Sequence, residues 1–196
     1  MAEDNRTKIL DFAVAAIDAG GEAVLRVHEI AAQAGISVPV IYHYFGNRDG
    51  LVIAAQLERY TRQTKTDINS IRRAVDACLT GDDLRTALRI TWQRSLAQRA
   101  ANRWLRISVL GSAYARHELE TAVARAQDEI VAALVAILEP CQERGWLRTG
   151  MDLTSTIAWH HSVLIGRVFI EHGTVEVDPA EWDRLTMEAL DRVFFG

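Results

Sequence analysis

Cysteine is scarce. The chain's 2 cysteines, Cys78 and Cys141, stand far apart in helical patterns, which argues against a disulfide framework or a paired-thiol motif and predicts two buried, reduced thiols. Long apolar runs are missing too: the longest, "IVAALVAIL" at 130–138, lies between Glu129 and Glu139 and falls short of the ~20 residues that span a bilayer. The opening "MAEDNRTKIL" has no apolar segment of the kind a signal peptide carries. These absences lead us to expect a soluble cytoplasmic chain with no membrane partner. Nor is there an excess of positive charge, since 22 Lys and Arg face 26 Asp and Glu for a net charge of -4. Any contact with nucleic acid must therefore come from a local patch. We find no Gly-rich phosphate loop, no GxSxG, no HExxH and no Cys/His cluster. The adjacent histidines of "WHHS" at 159–162 point about 100° apart on a helix and do not readily share one ion. The expectation is no catalytic residue, no metal and no cofactor.

What the chain does have is helical periodicity almost throughout, without a convincing alternating run, so the fold class read from it is all-α, with about nine helices. Ile9, Phe12, Ala13, Ala16 and Ile17 mark a first helix closed by Gly20 and Gly21. Val27, Ile30, Ala31 and Ala34 mark a second closed by Gly35, and Ser37 caps a third that reaches about Tyr44. Asn47 caps a fourth, with Leu51, Ala54, Ala55 and Leu57 inward. After a break at "CLTGDD", Asp82 or Asp83 caps a helix carrying Leu84, Leu88, Trp92 and Leu96. A shorter segment surrounds Trp104, Ile107 and Leu110. A long helix then runs from about Arg116 to Arg144, with Leu119, Val123, Ala126, Ile130, Leu134 and Ile137 inward; Pro140 kinks or ends its last turn, and Gly145 closes it. Asp152 or Thr154 opens another helix to about His172, and "GTVEVDP" is a loop before a last helix, Pro179 to Phe195.

The densest signal is "VHEIAAQAGISVPVIYHYFGNRDGL", Val27 to Leu51. A helix ends at Gly35, the residue best suited to a left-handed C-terminus. Ile36 fills the crotch, the Ser37 side chain is expected to accept N–H groups of the next helix, and Pro39 sits in its first turn, where a missing N–H costs little. Ile41 and Tyr44 return to the side facing Ile30, Ala31 and Ala34. Two short helices joined this tightly are the layout of a helix-turn-helix, whose second helix offers one face to the DNA major groove.

These residues resemble the DNA-binding signature of the tetracycline-repressor (TetR) family: an Ile-Ala-x-x-Ala-Gly-Val-Ser core, a Leu-Tyr-x-x-Phe run, then a basic residue and an acid before Leu. The resemblance covers about 50 residues, Ile9 to Leu57, and beyond them the chain matches only in being helical and of suitable length. It implies that Tyr42 and His43 face DNA, a tyrosine hydroxyl suiting a phosphate and histidine a phosphate or a base edge. It places Ser37, Val38, Pro39 and Val40 at the groove-facing end of the helix. Arg48, where the family usually has lysine, suits a phosphate, and Arg6 and Lys8 form an arm toward the backbone. Val40 replaces a frequent threonine and is left with a thymine methyl as its partner. Residues 1–65 carry seven Arg and Lys against eight Asp and Glu, so charge placement and pairing of two copies matter more than total charge.

The expected organisation is a DNA-binding domain over 1–50, a connecting fourth helix at about 47–70, and a helical ligand-binding and dimerisation domain over 51–196. Dimer contacts are expected from Ile157, His161, Leu164, Val168, Trp182, Leu185, Leu190 and Val193, which otherwise cover the chain's own core. Trp92, Trp104, Tyr114 and His161 are candidate ligand contacts or plain core. Arg103 and Arg106 meet an anion or lie on a solvated face. The reading is a homodimeric, ligand-responsive regulator of double-stranded DNA, a repressor more readily than an activator, released from an inverted repeat by an unidentified small molecule. Its rivals are a helical ligand-binding protein and a small helical enzyme, neither binding DNA.

Overall fold

In the computed structural model, residues 2–98 and 100–196 are described, with side chains for all but 2–4, 63 and 98. Met1, the first residue of the expected DNA-binding domain, and Arg99 lie outside them. Helices follow in the order α1 (Ala2–Gly20), α2 (Val27–Ala34), α3 (Val38–Phe45), α4 (Arg48–Asp76), α5 (Gly81–Gln98), α6 (Ala100–Ala113), α7 (His117–Glu143), α8 (Leu153–Gly166), α9 (Val168–Glu171) and α10 (Pro179–Phe195), with a 3₁₀ turn at Glu22–Val24. No strand occurs among the described residues, and α9 is a single turn. The chain divides into two compact units: one holds the residues up to Arg62 together with Val109–Ala124, the other Gln63–Ser108 with Arg125–Gly196.

In the first unit, α1 packs on α2 and α3. Ile9, Ala13, Ile17, Leu25, Ile30, Ile41, Leu51 and Ala55 are fully or almost fully buried in one core, each large aliphatic side chain contributing roughly 1.5–3 kcal/mol. Phe12, Ala16 and Ala54 border it. The Asn47 cap forms as expected, its Oδ1 accepting from Gly50 N at 2.8 Å. The Ser37 cap does not: Ser37 occupies the N-cap position with extended backbone, but its hydroxyl makes no capping bond. Its carbonyl instead accepts from Val40 and Ile41.

The second unit is built on the expected stripe of α5, with Leu84, Leu88, Trp92 and Leu96 all buried. The Trp92 ring lies 5.2 Å from that of Phe194 on α10. The cap of α5 is Thr80 rather than Asp82 or Asp83. Thr80 Oγ accepts from Asp83 N at 3.2 Å while the Asp83 carboxylate accepts from Thr80 N at 2.9 Å, a capping box. The six inward residues of α7 are buried as expected. Pro140 lies inside its last turn, the helix running on to Glu143, and Gly145 at φ 73° closes it. Asp152 caps α8, accepting from Ser155 N at 2.7 Å. The single helix expected to reach His172 is interrupted at Arg167, whose guanidinium is fastened to Asp183 at 2.6 Å and Glu171 at 2.6 Å.

One periodicity is misread by hydrophobicity alone. On α6 the buried positions are Arg103, Val109 and Ala113, while Trp104 and Leu110 are exposed. Arg103 can be buried because Glu171 neutralises it bidentately and the carbonyls of Ser95 and Leu96 each take a further donor.

Candidate nucleic-acid interface and effector cavity

Helix α2 ends in the conformation its sequence demands. Gly35 sits at φ 69°, ψ 36°, and Ile36 N reaches back to Ala31 O at 3.0 Å, closing the helix so that the chain turns within three residues. Ile36 packs against the core. Buried Ala31 and Ala34 supply the small face that lets α3 cross closely, and α3 is pinned from beneath by Ile41 and Phe45. At eight residues, α3 is too short to persist alone; the core holds it.

Its outer flank is then free. Tyr42 is 41% exposed and His43 is exposed, while Tyr44 is half-buried and Val38 packs inward. Ser37 and Pro39 are exposed and Val40 half-buried. Of the other expected contacts, Arg6 sits beside this helix with its guanidinium 5.5 Å from the centre of the Phe45 ring, and Lys8 is exposed on α1. Arg48 is turned back into the unit: Nη2 donates to Glu22 O at 2.6 Å and Nε to Leu25 O at 3.2 Å. It braces the 3₁₀ turn, which restricts its reach toward a phosphate.

A residue that sequence reading passed over organises this unit. The Glu22 carboxylate accepts from Gln56 at 2.6 Å, from Ser112, and from Arg116 at 2.5 Å. Burial raises its pKa, but the bonds from Arg116, Ser112 and Gln56 outweigh that and hold it at about 2. No local motif signals it, because Ser112 is 90 positions away.

The second unit holds a partly open cavity of about 350 Å³, at the small end of the ~300–1,000 Å³ usual for small-molecule sites. Trp92 and His161 line it. Trp104 and Tyr114 do not. Trp104 stacks on His172 at 4.3 Å on the surface, and Tyr114 is 91% exposed. The cavity's polar cluster centres instead on Arg106, His160 and His161. Arg106 Nη1 lies 2.7 Å from His161 Nε2, and Nη2 donates to Thr64 Oγ1. A guanidinium only donates, so Nε2 accepts and the ring proton sits on Nδ1. Burial, then the charges of Arg106 and His160, lower the His161 pKa to about 3. Burial alone lowers that of His160 to about 4, and both its nitrogens are buried without a partner. Among the described residues, no three His, Cys, Asp or Glu side chains gather as a metal site needs.

Residues 9–55 match the family model described as bacterial regulatory proteins, tetR family. Residues 9–55 carry the TetR-family signature. Over 64 residues, 33% of this chain, it is 42% identical to the HTH-type transcriptional regulator BetI 2 of Chromohalobacter salexigens. The chain spans only 28% of the length of that relative. In three dimensions it is similar over its whole length, with a TM-score of 0.75 and 18% identity, to a protein of Mesorhizobium loti MAFF303099 assigned as a TetR-family transcriptional regulator, 99% of which is covered. It is also similar to the transcriptional regulator FadR of Bacillus subtilis in complex with stearoyl-CoA, at a TM-score of 0.64 and 18% identity, covering 96% of this chain and 98% of that one.

Beyond the TetR unit, the residues expected to pair two copies separate into three groups. Ile157, Val168 and Leu190 are buried in the unit's own core, because α8 and α10 turn their most apolar positions onto each other and onto α5. His161 and Leu164 line the cavity. Leu185 is 52% exposed, and Trp182 and Val193 are half-buried. Trp159, Phe169 and Val175 add further exposed apolar surface. No described helix is long and apolar enough to cross a membrane.

Proposed function

We propose that the chain is a ligand-responsive transcriptional regulator, a repressor that binds an inverted-repeat operator as a homodimer in the cytoplasm. The observation that carries the reading is α3, a helix fixed by Ile41 and Phe45 while Tyr42 and His43 face outward. In this reading the segment through residue 50 reads DNA and α4 connects it to a ligand-binding and dimerisation domain. Ser37, Pro39, Val40, Tyr42 and His43 meet the groove or its rim, and Arg6 and Lys8 supply backbone charge. Copies pair through the exposed part of α8–α10, with Leu185, Trp182 and Val193 among the contacts. A single helix-turn-helix selects sites weakly, and pairing supplies the second half-site.

The cavity is the effector site. The effector acts by binding more tightly to the state whose two recognition helices no longer fit adjacent major grooves. Selection of bound fragments from random DNA, followed by gel shift at several salt concentrations, tests this. An enriched inverted repeat with a salt-sensitive shift supports it; the absence of any selective shift favours a ligand-binding protein or a small helical enzyme.

A further inference from the structure

We infer that the cavity takes a compact organic anion, a carboxylate carried on an aromatic or medium-chain body. This rests on the regulator reading above, which calls for an effector without saying what it is. The walls set the body: Ile68, Ile71, Ile130, Leu134, Leu164 and Ile165 are apolar. At about 30 Å³ per water-sized group, about 350 Å³ holds roughly a dozen non-hydrogen atoms.

The polar cluster sets the headgroup. Arg106 brings a fixed positive charge, and its bond to His161 leaves the Nδ1–H of that ring as a donor. His160, next along α8, borders the same cavity with both nitrogens buried and unpartnered. A carboxylate accepts from such donors with either oxygen. The charge balance has the same sign. Of the charged side chains lining the cavity, Arg94, Arg103 and Arg106 outnumber Asp67, and they still do when Arg103 is set against Glu171. That charge reaches into the site, since Arg106 contributes to keeping His161 neutral. An ammonium ligand would meet Arg106 without an aromatic cage to offset it. The Trp92 ring is already packed against Phe194 at 5.2 Å, His160 at 6.1 Å and Phe195 at 6.4 Å.

Calorimetric titration of the full-length protein with 3-phenylpropanoate, 3-phenylpropanamide and 3-phenylpropylammonium tests the assignment, because the three share one skeleton and differ in the headgroup. The acid is expected to bind at least tenfold more tightly than either of the others. Arg106→Gln should remove that preference, with amide binding changed less than threefold; Arg106→Lys, which keeps the charge, should retain its direction. Equal or tighter binding of the ammonium, no binding by any of the three, or an acid preference that survives in folded Arg106→Gln overturns the assignment. Should Arg106→Gln not fold, the wild-type panel and Arg106→Lys decide alone. Gel shift is run in parallel. Failure of the panel with the duplex still shifted removes only the ligand class, whereas acid binding without any duplex shift removes the regulator reading and leaves the pocket.

Discussion

Nη2 of Arg116 lies 2.5 Å from Oε2 of Glu22, so the turn before α2 is tied to the junction of α6 and α7 within one unit. Glu22 also receives Gln56 and Ser112 through its side chain and Arg48 through its carbonyl. Replacing it by Gln leaves Arg116 without its counter-charge. The expected loss is about 1.5 kcal/mol, the low end for a bond to a charged group, because the Arg116 side chain keeps 35% of its surface in water. The pH sign follows from a folded pKa of about 2 against 4.5. The contribution is complete above pH 4.5 and is lost as pH falls toward 2. Urea midpoints for wild type and Glu22→Gln should therefore differ at pH 6 and converge as pH drops through that window; a gap that stays constant contradicts the pairing.

His160 predicts the reverse of an ordinary core substitution. Its nitrogens are buried without partners among Trp92 and Phe194, so folding strips them of water with no bond in return. His160→Phe keeps an aromatic of similar shape and should stabilise the protein by about 1 kcal/mol. Wild-type stability should also fall as pH drops from 6.5 toward 4 and 3, since both histidines are held neutral in the fold. A lowered pKa gives stability that is whole above 6.5 and lost on acidification. The substitution should flatten part of that slope. A lower melting temperature at neutral pH would contradict it.

Glu171 accepts from both Arg103 and Arg167, and Arg167 also grips Asp183. Glu171→Leu would leave Arg103, only 4% exposed, with two carbonyls and no anion. The expected cost is about 3–5 kcal/mol, as for breaking a buried pair from one side. Denaturant unfolding should show it. A loss under 1 kcal/mol would mean that water or another acid reaches Arg103.

The helix-turn-helix was legible because its determinants are local. Gly35, Pro39, Asn47 and the Ile30, Ala34, Ile41 spacing all act within 25 residues, at helix ends and on one face. What escaped was decided at long range. Trp104 and Arg103 are neighbours, and hydrophobicity alone buries the tryptophan; the structure buries the arginine because Glu171, 68 positions on, neutralises it. Likewise the apolar stripe of α8 and α10 has the same pattern whether it faces a second copy or its own core. Ile157 and Leu190 prove to be core: both are buried, on helices of a unit in which α10 packs against α5 and α8. The Ser37 hydroxyl shows the opposite limit: a cap position can be right while the capping bond is not made.

The remaining prediction concerns α3 itself. Tyr42 is exposed and is not among the side chains packed on the core, so Tyr42→Phe removes a single hydroxyl and leaves the helix in place. If that hydroxyl donates to a phosphate oxygen, the loss is about 1 kcal/mol per copy and nearly equal for every duplex, because phosphates carry no sequence. His43→Ala is expected to behave differently where the ring reaches a base edge: binding then weakens most at one position of each half-site, by about 1–3 kcal/mol, and relaxes preference there. Competition gel shifts with operator variants substituted one base pair at a time separate the two. A uniform loss for His43→Ala would assign it to the backbone, and a position-specific loss for Tyr42→Phe would assign the tyrosine to the bases. Unchanged binding for both would move the interface off the outer flank of α3 altogether.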